Sequence, residues 1–290
     1  MKWFSLFTLC MLPLFAEFGE TVADLNISYD TFRGMPDGSW NGNTGGFGAA
    51  NFGISLYEQV AVQLGGSYGI YDWSGRGSIV NGNPKRVEQQ TFLTAGLYRE
   101  TPYCSGINIG IAYDWMLNEN FGLFGVNPTI QQFRFKAGYL FCGSDELGIW
   151  GTVDTNHAHV NSDGIPLTFR STSQINFFWS HLFSNCAETT LWVGVPYKRS
   201  LMFTSGTAGK YLFGASFRVP LTCALSIEGH GAYMGAKWSH GITQSHNYDA
   251  NICFGLTYTF CLFGDCCSID RPYQPLANNS NFMVDTNLNN

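Results

Sequence analysis

Ser226, Glu228 and His230 place a hydroxyl, a carboxylate and an imidazole at alternate positions of one stretch, the three groups that nucleophilic hydrolysis combines. On an extended chain alternate residues stand in a column along one face, so Ser226 and His230 are too far apart to share a hydrogen bond. The second cluster is Asp154, His157, His159 and Asp163. Two histidines at i and i+2 share a side of an extended chain and suit a surface metal, although a solvated polar loop accounts for the same residues. The sequence has no phosphate loop, nucleotide fingerprint or nucleophile elbow. The expectation is therefore no enzyme, no metal and no cofactor.

Cysteine chemistry is the third candidate. Cys104, Cys142, Cys186, Cys223, Cys261, Cys266 and Cys267 all fall at or just past short polar turns, whereas Cys253 lies inside an alternating stretch. Thiols segregated in this way suit disulfides in an oxidising compartment, within the turns or between neighbouring molecules. Adjacent Cys266 and Cys267 are poorly placed to pair with each other. Seven is an odd number, so if Cys253 stays reduced at least one of these thiols is free or paired with another molecule.

Charge supplies the fourth. Arg134, Lys136, Arg170, Lys210 and Arg218 fall on the polar faces of alternating stretches, with Asp114, Glu228 and His230 on the same type of face. Asp114 with Arg134 or Lys136, and Arg218 with Glu228, stand on neighbouring strands and can neutralise each other. Arg170 and Lys210 have no partner in the pattern, the single hint of anion preference.

These residues need strands to hold them. In residues 130–141, Phe133, Phe135, Ala137, Tyr139 and Phe141 fall on one face, and Gln132, Arg134, Lys136 and Gly138 on the other, the period of a strand. The same alternation marks about twelve strands along the chain. One runs through Leu25, Ile27 and Tyr29, and another through Ile107, Ile109, Ile111, Tyr113 and Trp115. The eighth sets Leu167, Phe169, Ile175, Phe177 and Trp179 outward against Thr168, Arg170, Thr172, Gln174 and Asn176. The twelfth carries Tyr248 through Phe260 at every second position. Short turns near 58, 102, 144, 185 and 221 alternate with long connections over 34–46, 71–85, 118–127, 154–164, about 204 and 238–247. That alternation gathers the short turns and both termini at one rim and the long loops at the other.

Composition agrees with lipid around such strands. Charged residues are 12% and aromatics 16%, with 34 glycines and a mean hydropathy of -0.03; a soluble domain carries about 25% charge, and barrel strands hide their apolar half among polar neighbours. A secreted β-sandwich also alternates, but it explains neither the alternating connection lengths nor the aromatics at strand ends. A net charge of -6 without a basic run argues against nucleic acid. Residues 3–15 are an apolar run after Lys2 and before Ala16, too short to span as a helix and read as an export signal cleaved after Ala16. The predicted organisation is a signal at 1–16, an all-β transmembrane antiparallel barrel of about twelve strands at 17–262, and a periplasmic tail at 263–290. Short turns face the periplasm and long loops the exterior.

The sequence resembles two groups. In architecture it is similar to cysteine-bearing outer-membrane porins of chlamydia-type bacteria, whose envelopes are disulfide cross-linked. More closely it resembles a family of uncharacterised exported proteins of planctomycetes and chlamydia-like bacteria, through residues 65–69 (GGSYG), 112–116 (AYDWM), 148–151 (GIWG), 174–176 (QIN), 192–194 (WVG), 272–280 (PYQPLANNS) and 282–286 (FMVDT). That resemblance implies export and fold without an activity. Barrel assembly signals lie at the extreme C-terminus, whereas here the matching aromatic strand ends at Phe260 with residues 261–290 still to follow. The expected function is passive diffusion of small polar or anionic solutes and ions through a porin-like channel in the outer membrane of a Gram-negative bacterium. The alternative is a structural or adhesion protein of the envelope. The expected partners are outer-membrane lipid and, through disulfides, envelope proteins or further copies of the chain.

Overall fold

The computed structural model describes residues 21–34, 38–57, 60–76, 86–99, 105–141, 143–162, 164–202, 206–238, 246–263 and 274–287. The signal at 1–16 and Cys104, Cys142, Asp163, Cys266 and Cys267 lie outside them, as does the side chain of Cys261.

The described strands are β1 (Thr21–Gly34), β2 (Gly38–Tyr57), β3 (Val60–Arg76), β4 (Arg86–Arg99), β5 (Gly106–Glu119), β6 (Thr129–Phe141), β7 (Asp145–Asp154), β8 (Ala158–Ser162), β9 (Ile165–Ser171), β10 (Gln174–Leu182), β11 (Glu188–Pro196), β12 (Leu212–Pro220), β13 (Leu225–Trp238), β14 (His246–Phe263) and β15 (Val284–Thr286). Twelve of them close into an antiparallel barrel in the order β1-β14-β13-β12-β11-β10-β7-β6-β5-β4-β3-β2. The seam joins the first strand to the last, with Leu25 opposite Tyr258 and Tyr29 opposite Phe254, so the sheet has no edge.

Side-chain phase is as predicted in eleven of the twelve sequence stretches. Leu25, Ile27, Tyr29, Leu64, Leu93, Ile107, Val193 and Phe254 all face outward, and Ile27 is 77% exposed. An apolar band of this extent is stable only against an apolar solvent. The opposite face carries Asp24, Asn51, Gln63, Thr94, Asn108, Asp114, Gln132, Asn176, Asn251 and Thr257, all buried.

Three features depart from the pattern. The stretch 167–179 is two strands rather than one: β9 pairs with β8 and β15 in a separate three-stranded sheet, and only β10 belongs to the barrel. Leu167 and Phe169, expected outward, are 2% and 1% exposed, because that face of the small sheet packs on the apolar cluster with Phe121, Phe282 and Val284, while its other face, with His159 and Asn161, is exposed. The connection 154–164 contains β8, and strand pairing of β1 with β2 consumes most of 34–46, up to Gly34 opposite Gly38. The third departure concerns the tail. Residues 274–287 run inside the barrel and end in β15, which pairs antiparallel with β9 beside the long loops, so the described end of the chain is not at the short-turn rim.

Candidate functional site

The tail enters the lumen near the start of β3. Gln63 and Gln274 clasp each other, side-chain amide to backbone, at 2.7 and 3.0 Å. Arg134 donates from Nη1 to the carbonyl of Pro275 at 2.7 Å, and Ala277 N–H donates to Thr94 Oγ1 at 3.1 Å. Midway, Asn279 Nδ2 donates to Asp30 at 2.9 Å and to Gln90 at 3.1 Å, and the Ser280 hydroxyl donates to Asn251. Each such bond is worth about 0.5–1.5 kcal/mol net; with the turn in which the Asn281 and Phe282 N–H groups donate to the Asn278 carbonyl, they help satisfy the buried backbone of the segment ahead of β15. The wall makes room with glycine: a Cβ on Gly110 would sit 1.6 Å from Gln274 Nε2, and one on Gly65 would sit 2.5 Å from Leu276 Cδ2.

Towards the long loops the contacts become apolar. Phe282 and Val284 are buried with Phe92, Met116, Phe121, Ile130, Leu167 and Phe169 in one cluster, and Met283 with Leu212 and Met234 in a second. The inward faces of the strands thus change from polar to apolar along the lumen, and the three-stranded sheet lies over the apolar end. Asp285 closes this end. It accepts hydrogen bonds from Arg170 Nε and Nη2 at 3.1 and 2.9 Å, from the Ser200 hydroxyl at 2.8 Å and from Leu201 N–H at 3.0 Å.

The short-turn half retains a cavity of about 360 Å³ between the tail and a wall to which β1–β4, β6, β7 and β10–β14 all contribute. Arg134, Lys136, Arg218, Glu228 and His230, all expected in the lumen, line it. Arg134 holds Asp114 with two parallel bonds at 3.0 and 3.1 Å, a bidentate geometry that fixes both side chains. Thr94 and Gln132 also donate to Asp114. Arg218 faces Glu228 across the β12–β13 ladder at 3.3 Å, as predicted. Lys136 pairs at 2.8 Å with Glu146, which sequence reasoning missed. Two expectations are corrected. Arg170 is not unpartnered but sits directly opposite Asp285, with Asp154 at 3.9 Å. Lys210 is exposed ahead of β12 and outside the cavity lining. The lumen is not basic either: Asp24, Glu146, Glu188 and Glu228 line the cavity against Arg134, Lys136 and Arg218.

Ser226, Glu228 and His230 do stand in an inward column, and the Ser226 hydroxyl accepts from Arg218 Nε at 3.0 Å. In the loop cluster His157 Nε2 is 3.5 Å from Asp154, while His159 bonds Thr168. Among the described residues no group of three or more ligating side chains converges. Cys186 and Cys223 are exposed in short turns, and Cys253 is buried on the inward face.

A family model matches residues 23–284, from the first strand into the lumenal tail. The chain belongs to that family, DUF6666, a family of unknown function. No curated protein matches it. Among solved structures it is similar to the COG4313 outer-membrane channel from Pseudomonas putida F1, at 10% identity over 83% of this chain and 96% of the other, with a TM-score of 0.51. A membrane protein from a study of in-meso crystallization matches at 9% identity over 92% of this chain and all of the other, with a TM-score of 0.52. Outer-membrane phospholipase A from Escherichia coli matches at 10% identity over 83% and 97%, with a TM-score of 0.41. This DUF6666 member has the fold of a closed twelve-stranded antiparallel β-barrel, resembling those of outer-membrane proteins.

Proposed function

We propose that the protein is an outer-membrane channel for small polar solutes whose lumen is shut by its own C-terminal segment. The observation that carries the reading is what fills the barrel. A purely structural barrel of small girth is packed by side chains of its own wall. Here the wall leaves a bore, and one segment joined to it only by hydrogen bonds, apolar contacts and a three-residue strand pairing occupies that bore. Barrels that keep a polar interior and obstruct it with a loop or plug are a recognised form of channel.

The solute class follows from the lining. Inward cations are matched by carboxylates at Asp114, Glu146, Glu228 and Asp285, so the basis for anion preference falls away and neutral polar solutes fit best. Liposome swelling tests this with the full chain and a chain ending at residue 273. The shortened chain should admit neutral polyols and small ions of either sign alike. Liposomes that stay tight with both chains would favour the structural or adhesion reading.

A further inference from the structure

We propose that the short-turn half of the lumen is a binding site for a neutral sugar of one or two rings. Three observations converge on it. Trp150 and Trp192 project inward from β7 and β11 and meet edge to face, with centroids 6.0 Å apart, at the cavity wall. A Cβ on Gly214 would lie 2.2 Å from Trp192, so the indole lies over bare backbone; it also packs against the cluster of Leu212, Met234 and Met283 and leaves part of its surface in the cavity lining. With Phe47, Phe178 and Leu276 in the same lining, the indoles offer an apolar surface to the C–H face of a ring-shaped solute.

The polar rim supplies both kinds of hydrogen-bonding group. Lys136–Glu146 and Arg218–Glu228 are fixed ion pairs at 2.8 and 3.3 Å, and each presents a donor beside an acceptor, as the hydroxyls of a sugar require. His230 Nε2 and Glu146 Oε1 are buried and find no hydrogen-bond partner among the described residues. An unmet buried polar atom costs about 1–3 kcal/mol, but neither atom is open to the cavity, so the hydroxyls of the sugar are met by the two ion pairs. Four carboxylates, Asp24, Glu146, Glu188 and Glu228, stand against three cations in the lining, which disfavours a free anion. The volume of about 360 Å³ lies at the small end of ordinary ligand pockets, which run from about 300 Å³.

The site rests on the channel reading only in making that sugar a permeating solute; binding is measured without transport. Isothermal titration of the full chain, in a detergent that carries no sugar headgroup, should show saturable heat with glucose or maltose. Phosphate should give none. Trp192→Ala and Glu228→Gln should each weaken binding by at least about tenfold, equal to 1.4 kcal/mol. Trp73→Ala, on an outward ring 72% exposed, should leave it unchanged. Heat-modifiable migration of each variant on gels checks that it has folded. Absence of saturable sugar binding, or binding that survives both lumen variants, overturns the proposal. Tighter binding of choline than of either sugar also overturns it, since the indoles would then serve a cation.

Discussion

Asp285 stands directly opposite Arg170 in the β9–β15 pairing and takes two of its N–H groups, at 3.1 and 2.9 Å. The pair joins the end of the tail to the loop sheet, and both side chains are nearly removed from solvent. Removing one partner of a buried pair costs about 3–5 kcal/mol when the other is left unmatched, and less here, since Asp154 stays 3.9 Å from Arg170. Asp285→Ala should therefore free the end of the tail, read as faster proteolytic clipping after Phe263 in detergent-solubilised protein. Clipping at the wild-type rate would show that the pair does not hold the segment.

Charge reversal at Arg170 gives a second expectation, opposite to the one its position in the sequence suggested. Arg170→Glu places a carboxylate against Asp285 and Asp154, so it should raise conductance by releasing the tail instead of lowering anion preference in an open pore. An unchanged conductance with altered ion selectivity would mean that Arg170 lines a pathway already open.

The glycine at 110 carries a third. It sits where a Cβ would come 1.6 Å from Gln274 Nε2 and 2.8 Å from the Tyr98 ring of β4, so an added side chain presses hardest on the tail and requires that ring to shift. Gly110→Ile should leave barrel assembly intact, by heat-modifiable migration, yet speed amide hydrogen exchange at Gln274 and Ala277 by about tenfold or more, the effect of roughly 1.4 kcal/mol lost from the closed state. Exchange as slow as in the wild type would mean the tail has another route past β5.

Orientation is tested through Cys186, an exposed thiol in the turn between β10 and β11. Short turns of bacterial barrels face the periplasm, so a membrane-impermeant maleimide should add its Cys186 mass, the one lost in Cys186→Ser, only after the outer membrane is permeabilised. Labelling in intact cells would turn the barrel over. Cys223, in the turn between β12 and β13, is likewise exposed, and the sequence pattern sets the other cross-linking candidates at or just past short turns. A non-reducing gel of envelopes alkylated at lysis should show high-mass species that collapse with reductant; a lone monomer band would leave those cysteines without a partner outside the chain.

How far the sequence could be read depended on which contacts are local. Outward residues such as Ile27 or Val193 announce their face because the strand period is two and lipid demands one side apolar. Arg218 with Glu228 was readable for the same reason, since adjacent strands in a meander fix who stands opposite whom. The tail followed no period. Asn278, Asn279 and Ser280 resemble a solvated linker by composition, and nothing local says that Asp30, Gln90 and Asn251 await them from β1, β4 and β14. Arg170 seemed unpartnered because its carboxylate lies 115 residues on. Two signals did point inward: the glycines at 65 and 110 on the polar face, and the apolar run from Phe282 to Val284, which a tail in water has no reason to carry.

The most direct test of a lumen shut by its own chain is single-channel recording in planar bilayers, with the full protein, a chain ending at residue 273, and a full-length Phe282→Asp, Val284→Asp variant. Both substitutions place charge in the apolar cluster around Phe92 and Phe169, so the third protein opens the lumen without shortening the chain. The full protein should be closed or nearly so, and the other two should conduct steadily with little preference between small anions and cations. Equal conductance in all three would contradict the account, as would silence in both altered proteins once their heat-modifiable migration shows a formed barrel.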